Sequence, residues 1–451
     1  MAVWREYHEA TKHTPERLRA HPHYLDWANM PAPFRHYEGA PIVDLPAGAP
    51  PPDAPALAVL RGEFGRRNTT GVWELLSQIL FHSAAISATK LVPQSGYRYA
   101  LRVNPSSGNL HPTEFHVGTH EGLYHYRASA HDLEQRARGD FTFGRGDVVF
   151  FLTSIFWREA WKYRQRAYRY CLHDLGHAWE ALSLSARASG YGLHATLDFD
   201  DDALARDLRL PSDEAPLLIA ALSPPPGEAD WYAATPNPLS AEIIGYPLIE
   251  RVHESTKLAN TRVAVTNCAL DAPFTTVVRR RRSALDFEGG DRTISRVQFE
   301  ALLDCALRGT RYVTLYAYVH RVGDVAPGVY RCSRDSLDLL QAGDQSVAAA
   351  GLSLQQQLAG NSCVTFSMVA DLERATGQWG DRGYRYCFFE AGAIGQRLYV
   401  AAEALGFQST GIGAFFDDAV HAYLNLKPED GQVIYHFASG YAVKDRRITD
   451  V

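Results

Sequence analysis

The segment Tyr168-Arg169-Tyr170-Cys171 returns as Tyr384-Arg385-Tyr386-Cys387, 216 residues further along the chain. The same spacing then holds without a gap to the acidic pairs Asp201-Asp202 and Asp417-Asp418. A repeat with one fixed spacing over this length indicates two copies of one fold. Positions at which the copies differ are informative, because each copy serves as a control for the other.

The duplication covers nearly the whole chain. The motif His8-Glu9-Ala10-Thr11-Lys12 is repeated, with one substitution, as His253-Glu254-Ser255-Thr256-Lys257. Proline-rich stretches precede each copy and predict connecting segments. We therefore predict an arm with a linker at 1–55, a first domain at 56–223, a linker at 224–250 and a second domain at 251–451.

The composition is that of an ordinary folded protein, with 46% hydrophobic and 21% charged residues among 451. A net charge of −6 argues against a chain whose main partner is nucleic acid or an anionic membrane. No apolar run is long enough for a membrane span and the start lacks a signal-peptide pattern, so we expect a cytoplasmic protein. Six cysteines without a Cys-x-x-Cys pair predict reduced, mostly buried thiols and no metal site.

Each copy has the sequence pattern of a mixed α+β domain. Apolar runs at 147–154 and 363–370 predict strands. Apolar residues at helical spacing predict long helices at about 168–189 and 384–405, each followed by a glycine that can end a helix.

Three groups of motifs carry a family resemblance. The arm contains Tyr7-His8-Glu9-Ala10-Thr11-Lys12-His13, Leu25-Asp26-Trp27-Ala28-Asn29 and Pro33-Phe34; the first copy contains Pro105-Ser106-Ser107-Gly108-Asn109-Leu110-His111-Pro112, Lys162-Tyr163 and Tyr168-Arg169-Tyr170; the second contains Arg281-Arg282-Ser283 and Thr410-Gly411-Ile412-Gly413-Ala414-Phe415. In order and spacing these motifs resemble the SagB/ThcOx-type dehydrogenases of the nitroreductase superfamily, in a tandem form that covers essentially the entire chain.

The resemblance implies an FMN-binding α+β sandwich that is normally a homodimer with flavin at the subunit interface. Here two tandem nitroreductase-like α/β sandwich domains would form an intrachain pseudo-twofold dimer. The best known members oxidise peptide thiazolines or oxazolines to azoles. In the superfamily one subunit supplies the phosphate contact, glycine-rich backbone and basic tail residues, and the other supplies a Pro-Ser-x-x-Asn loop.

The two copies have kept complementary parts of such a site. The predicted FMN contacts are Arg279, Arg281, Arg282, Ser283, Gly411, Ile412, Gly413, Arg446 and Arg447 from the second copy, and Pro105, Ser106, Ser107 and Asn109 from the first. Ala195 and Leu197 stand where the second copy has Gly411 and Gly413, and Asp230 and Trp231 stand where it has the tail arginines. Guanidinium groups suit a phosphate dianion, so one site is expected to be complete and the other empty.

The loop is the part that the second copy has lost. From Lys12 to Gly122-Leu123-Tyr124 there are 110 residues, but from Lys257 to Gly328-Val329-Tyr330 there are only 71. The shortened interval has no counterpart of the Ser/Asn loop. We therefore expect one FMN per chain.

The resemblance also assigns acid/base catalysis to Lys162 and Tyr163, which align with Gln378-Trp379. Either residue could take the substrate proton if its environment tunes it, and the sequence leaves open which one does. His173 and His177 have metal-like spacing, but Phe389 and Ala393 replace them in the second copy, which favours packing. Leu285 stands where relatives have a cation beside the flavin, and Arg279 or Arg280 could substitute.

The leading hypothesis is an FMN-dependent dehydrogenase acting on a small molecule or peptide-derived natural product, possible partners being other biosynthetic enzymes. One alternative is a nitroreductase or quinone-type reductase fed by NAD(P)H. Another is a catalytically eroded flavin-binding scaffold in a biosynthetic complex. Loss of flavin colour on adding NADPH would favour the first alternative, and failure to bind FMN the second.

Overall fold

Two domains, each with an antiparallel sheet, meet along a pair of long central helices, Ala167–Ala188 and Gly383–Ala404. The computed structural model describes residues 2–20, 24–46, 51–69, 71–222, 230–231, 234–257, 272–333 and 336–451. Each long helix has 22 residues, and nearly all of them are buried, as their apolar and small side chains require. Gly190 and Gly406 follow the helices with φ of +84° and +86°, which confirms the predicted helix ends.

The backbones of the two long helices touch at equivalent glycines. A Cβ on Gly176 would lie 2.2 Å from the carbonyl oxygen of Phe389, and a Cβ on Gly392 would lie 2.1 Å from that of His173. Gly176 and Gly392 are related by the 216-residue spacing, so the pseudo-twofold axis passes between them. The predicted fold, two tandem α+β domains paired within one chain, is confirmed.

Each copy contains an antiparallel sheet. Among the described residues, the order of the first sheet is Asp230–Trp231, Asp132–Arg138, Gly122–Arg127, Thr113–Thr119, Val148–Ser154, Ala215–Ala221 and His194–Thr196, with Ile42–Asp44 also on Asp132–Arg138. The order of the second is Leu337–Ala342, Gly328–Cys332, Val313–Val319, Val364–Ala370, Gln432–Gly440 and Gln408–Ile412. Two of these strands, Val148–Ser154 and Val364–Ala370, confirm the apolar runs read from the sequence.

Shorter helices cover the sheets and the central pair. They are Val3–Ala10, Pro15–Ala20, Ala56–Leu60, Val72–Phe81, Phe156–Tyr163, Asp201–Asp207, Pro247–Ser255, Phe274–Arg280, Arg296–Ala306, Ser346–Leu352, Gln357–Asn361, Leu372–Trp379 and Asp417–Leu424. Pro247–Ser255 begins inside the segment 224–250, for which a linker was predicted. Parts of both predicted linkers lie outside the described residues.

The tail of the second copy crosses to the first. Ile448–Asp450 pairs with Ile86–Leu91, which in turn pairs with Arg98–Arg102. A short pair of strands, Tyr37–Glu38 and Thr235–Pro236, joins the arm to the segment between the copies. These exchanges bind each half of the chain to the other.

Equivalent buried ion pairs also join the copies. Asp417 accepts from Arg166 at 3.0 Å and from Arg169 at 2.9 Å. Its counterpart Asp201 accepts from Arg382 and Arg385, at 2.5 and 2.6 Å. All six side chains are buried, so the guanidinium and carboxylate groups compensate each other in place of water.

Cys171, Cys305, Cys332, Cys363 and Cys387 are free and buried, and Cys268 lies outside the described residues. In the described ranges, no helix combines the length and apolar character needed to cross a bilayer.

Candidate active site

A cavity of about 380 Å³ lies between the two copies. Both copies line it, and its volume is within the range of about 300–1,000 Å³ that is usual for small-molecule and cofactor sites. Eleven sequence-predicted site residues line it: Pro105, Ser106, Ser107, Asn109, Tyr163, Arg281, Arg282, Ser283, Gly411, Ile412 and Gly413. The structure thus brings together residues that are up to 308 positions apart in the chain.

The loop at 105–109 of the first copy is hydrogen-bonded to Asp174, which lies on the first long helix. Ser106 Oγ donates to the Asp174 carboxylate at 2.5 Å, and the backbone N–H and Oγ of Ser107 donate to it at 3.0 Å. Gly108 and Asn109 have φ of +58° and +60°, so the loop turns sharply here. The Asn109 amide donates to the carbonyl of Ala100 at 2.9 Å and thereby closes the turn.

Lys162 and Tyr163 lie against the tip of this loop. A Cβ on Gly108 would lie 2.8 Å from Lys162 Nζ and 2.7 Å from the Tyr163 hydroxyl. The Tyr163 ring packs edge-on against Tyr170, with 4.6 Å between ring centroids. Burial, followed by the nearby Glu159 carboxyl, raises the pKa of Tyr163 well above its ordinary value. The Tyr163 phenol is therefore neutral near pH 7 and can donate a hydrogen bond or a proton.

Three buried guanidinium groups border the cavity with nitrogen atoms that have no hydrogen-bond partner among the described residues. These atoms are Arg281 Nη1, Arg282 Nε and Arg102 Nε. Burial lowers the pKa of Arg281 to about 10 and that of Arg102 to about 10, so both remain charged at neutral pH. Among the described residues, no carboxylate lies within salt-bridge distance of Arg281, although Arg282 is paired with Asp450 at 2.6 Å. This donor set is suited to an anion, because guanidinium groups bind phosphate strongly.

The glycines opposite the loop are required by neighbouring tyrosines. A Cβ on Gly411 would lie 2.1 Å from the Tyr435 hydroxyl, and one on Gly413 would lie 2.4 Å from the Tyr170 ring. Both glycines are among the predicted FMN contacts. Packing of Tyr435 and Tyr170 at the cavity wall already excludes a side chain at either position.

Three predicted arginines do not line the cavity. Arg279 donates to the backbone carbonyls of Ile86 and Val451, at 2.7 and 2.9 Å. Arg447 makes two hydrogen bonds of 2.8 Å to Asp445, and Arg446 is exposed. Lys162 also lies beside the cavity lining and not in it.

The proposed substitutes for a cation at Leu285 lie elsewhere too. Leu285 is itself exposed and is absent from the cavity wall. Arg280 is exposed and faces Glu403 at 3.4 Å, while Arg279 is bound to backbone oxygens. Arg281 and Arg282, in contrast, both line the cavity.

His177 lines the cavity and His173 packs behind its wall, both against Tyr435. The His173 ring stacks on Tyr435 with 4.1 Å between centroids, and His177 Nε2 is 3.1 Å from the Tyr435 hydroxyl. Burial lowers the pKa of His177 to about 3, so the ring is neutral. Both histidines therefore occupy the packing positions that the repeat comparison favoured.

Several cavity residues were missed by the sequence reasoning. They are Lys90, Tyr99, Arg102, Asn104, Asp174, Tyr399 and Tyr435. Asp174 gave a signal, since a carboxylate amid apolar residues of a long helix needs a specific partner. Tyr399 gave no signal in the sequence. In the structure its hydroxyl accepts a hydrogen bond from the Gly411 N–H at 3.0 Å and is hydrogen-bonded to Ser283 Oγ at 2.8 Å.

The equivalent cleft on the other side of the pseudo-twofold axis is much smaller, with a volume of about 50 Å³. Trp379 replaces Tyr163 there, and its indole N–H donates to the Tyr312 hydroxyl at 2.8 Å. Ala195 and Leu197 stand in the places of Gly411 and Gly413. Larger side chains and the shortened loop region thus leave too little space for a second large ligand.

Comparisons with known proteins agree with this architecture. The Nitroreductase family model matches residues 74–222 and 278–441, which is more than half of the chain. A crystal structure of a candidate nitroreductase from Anabaena variabilis has a TM-score of 0.80 and 24% identity, with 98% of this chain and 100% of that one covered. A candidate nitroreductase from Methanocaldococcus jannaschii is 30% identical over 115 residues, which are 25% of this chain and 58% of that protein. The alignment therefore spans less than two thirds of this curated relative, whereas the family match includes both copies, and the chain belongs to the nitroreductase family of oxidoreductases.

Proposed function

We propose that this chain is an FMN-dependent oxidoreductase that binds one FMN between its two copies. The observation that carries the proposal is the set of unfilled guanidinium donors, Arg281 Nη1 and Arg282 Nε, at a cavity of cofactor size. Members of the nitroreductase family generally bind flavin. A phosphate group would satisfy both donors and compensate the buried charge of Arg281.

The residues present fit such a cofactor. Arg281, Arg282 and Ser283 would hold the phosphate, while backbone at 411–413 and the loop at 105–109 would border the ring system. Pro105, Ser106, Ser107 and Asn109 would contribute through that loop. Arg279, Arg446 and Arg447 do not line the cavity. We therefore propose for them only a supporting positive charge, without direct contact with the phosphate.

We further propose that the reaction is a dehydrogenation. Bound FMN supplies a hydride acceptor, and the protein must then receive a proton from the substrate. Tyr163 is kept protonated by burial and so serves as a hydrogen-bond donor. We assign the proton transfer to Lys162: its ammonium group gives a proton to solvent and then takes the substrate proton, and the contact of its Nζ with the loop tip holds it at the cavity edge.

The proposed substrate class is a peptide-derived or natural-product heterocycle, oxidised from azoline to azole, with oxygen as the electron acceptor. Support comes from the family resemblance and from the Lys162-Tyr163 pair beside the cavity. Biosynthetic enzymes that form the azoline ring are the partners that this chemistry requires. We propose a cytoplasmic location, where such peptide tailoring would take place.

A flavin count tests the cofactor proposal. Purified protein is saturated with FMN, freed of excess, denatured, and the released FMN is measured by absorbance against protein concentration. We expect a ratio near one, because the twin cleft is much smaller. A ratio near two or zero contradicts the proposal, and rapid flavin bleaching by NADPH points to a reductase instead.

Turnover of variants tests the assignment of the base. Lys162→Ala should keep FMN bound and lower kcat by about 10²–10⁴, the usual effect of losing an acid or base. Tyr163→Phe should have a smaller effect, since only a donor is lost. Gln378→Ala, at the position equivalent to Lys162, is the matched control and should leave turnover unchanged; full turnover in both site variants removes the pair from the mechanism.

A further inference from the structure

Glu159 is a buried carboxyl group that the proposed chemistry does not use. It lies on the helix Phe156–Tyr163, one turn before Lys162, and its residue is 0% exposed. In the part of the chain that the structure describes, neither of its carboxyl oxygens makes a hydrogen bond of good geometry, although the Ser106 hydroxyl and the Asp174 carboxyl lie within reach. An ionised carboxylate in such a place would carry a large desolvation cost.

The carboxyl group nearest to Glu159 is that of Asp174, which lies within hydrogen-bonding reach. Asp174 already accepts from Ser106 and Ser107 and so has the environment of an ionised carboxylate. Two adjacent buried carboxyl groups cannot both be charged without strong repulsion. The proton therefore belongs on Glu159, whose O–H then donates to Asp174.

The surroundings reinforce this distribution of charge. The titratable groups that face the pair are Lys162, Tyr163, Cys171 and Tyr435. Burial, and then Asp174, raises the pKa of Glu159 well above its ordinary value, whereas burial opposed by the two serines raises that of Asp174 to about 7. The positive charge of Lys162 favours the ionised form of Glu159 and so lowers its pKa, but burial outweighs this effect.

The twin copy supplies a natural comparison. Ala375 occupies the position of Glu159, and Glu390 that of Asp174. Glu390 accepts backbone N–H groups of Arg311, Tyr312 and Val313 at about 2.8–3.1 Å, so a single carboxylate suffices there. Of the two equivalent positions, only the one beside the open cavity carries a second carboxyl group.

We propose that Glu159 holds the shared proton of a Glu159–Asp174 carboxyl pair and acts as a positioning residue that locks the loop at 105–109 against Lys162 and Tyr163. The hydrogen bond joins the helix that carries the Lys-Tyr pair to the helix that carries Asp174. Asp174 in turn holds Ser106 and Ser107, and the next residue, Gly108, contacts Lys162 and Tyr163. Loss of the proton places two charges side by side and releases the loop. The link between this lock and cofactor binding rests on the proposed FMN site.

The sign of the pH effect follows from the raised pKa of Glu159. The pair keeps one proton after Asp174 ionises, at about pH 7, and loses that proton as pH rises through the higher pKa of Glu159, so the loop loosens on the alkaline side. FMN binding by the wild-type protein should weaken by about tenfold or more as pH rises through the pKa of Glu159. Glu159→Gln remains neutral and can still donate to Asp174, so its FMN affinity should match the wild type before that transition and show no weakening through it.

The experiment measures two properties of the wild type, Glu159→Gln, Glu159→Ala and the control Glu390→Gln. Infrared difference spectra against the wild type report the C=O stretch of a protonated carboxyl group, and FMN titrations report affinity at each pH. We expect Glu159→Gln to lose one protonated-carboxyl band and the alkaline weakening, and Glu159→Ala to bind FMN more weakly throughout. Glu390→Gln should retain both the Glu159 band and the alkaline weakening.

Two results would overturn the proposal: an unchanged protonated-carboxyl signal in Glu159→Gln, or an alkaline weakening in that variant equal to the wild type. The infrared measurement needs no cofactor. If the wild-type protein binds no FMN at any pH, the proposed function fails, while the band assigned to Glu159 still decides whether the pair shares a proton.

Discussion

Arg281 is a buried guanidinium group whose hydrogen-bond acceptors are backbone carbonyls. Its Nε and Nη2 donate to the backbone carbonyls of Val103 and Arg102, at 3.0 and 3.3 Å, and it lies over the Tyr399 ring at 4.9 Å. Backbone oxygens carry only partial charge, so Nη1 and the net charge remain uncompensated. Such a residue is suited to a ligand that brings its own negative charge.

Replacing Arg281 tests this at the level of one side chain. Arg281→Ala should weaken FMN binding by at least about tenfold, because a hydrogen bond to a charged group contributes about 1.5–3 kcal/mol. Binding is measured by quenching of flavin fluorescence in a titration. The adjacent Arg280→Ala is the control, since Arg280 is exposed and faces only Glu403. Equal affinities of the two variants would place the anion elsewhere.

At the scale of elements, the crossing of the two long helices depends on the absence of side chains at Gly176 and Gly392. The distances of 2.1–2.2 Å from a built Cβ to a backbone oxygen are shorter than any real contact. Backbone on a buried helix cannot move aside without shifting the helix itself. The cavity walls on both helices would move with it, because Asp174 and Tyr399 belong to them.

Gly176→Ala should therefore lower the free energy of unfolding by several kcal/mol, in the upper part of the about 1–3 kcal/mol range for overpacking or above it. Gly377→Ala is the matched control, because nothing lies within 4 Å of a Cβ there and alanine favours a helix. Unfolding in denaturant measures both variants. A Gly176→Ala protein as stable as the Gly377→Ala protein would contradict the described helix contact.

The long helices and the repeat could be predicted from sequence because their signals are local: apolar spacing, a glycine after each helix, and an ungapped register. The loop and Arg281 could be identified because the other copy has lost or changed them. Glu159 and Asp174 could not, since their proximity depends on how two helices pack. Arg447 was predicted to contact FMN, but its guanidinium group donates to Asp445, two residues earlier in the chain.

At the scale of the whole molecule, the copies are joined by buried carboxylates that each accept from two arginines across the interface. Burial alone would raise the pKa of Asp417, but Arg166 and Arg169 outweigh it and hold that pKa well below its ordinary value. Asp417 therefore contributes stability above its unfolded pKa of about 3.9. That contribution is lost progressively as pH falls below this value toward the folded pKa.

Asp417→Asn should lower the free energy of unfolding at neutral pH by about 3–5 kcal/mol, because it leaves two buried guanidinium groups without a counter-charge. The difference from wild type should shrink when unfolding is repeated near pH 3. Asp418→Asn is the control: the Asp418 side chain is 62% exposed and its partner Lys12 keeps a second carboxylate, Glu9, so the loss should be about 1 kcal/mol or less. Equal losses in the two variants would count against the interface role of Asp417.

The arrangement of the loop at 105–109 and Arg281 on one polypeptide affects how the proposed flavin would be retained on dilution. In a two-chain enzyme, lowering the protein concentration separates the halves and releases whatever they share. Here the halves are tethered, and a tether keeps partner surfaces at an effective concentration on the order of millimolar. At a fixed concentration of free FMN, occupancy of the proposed site should thus be insensitive to protein concentration, even in a cell that makes only a few copies.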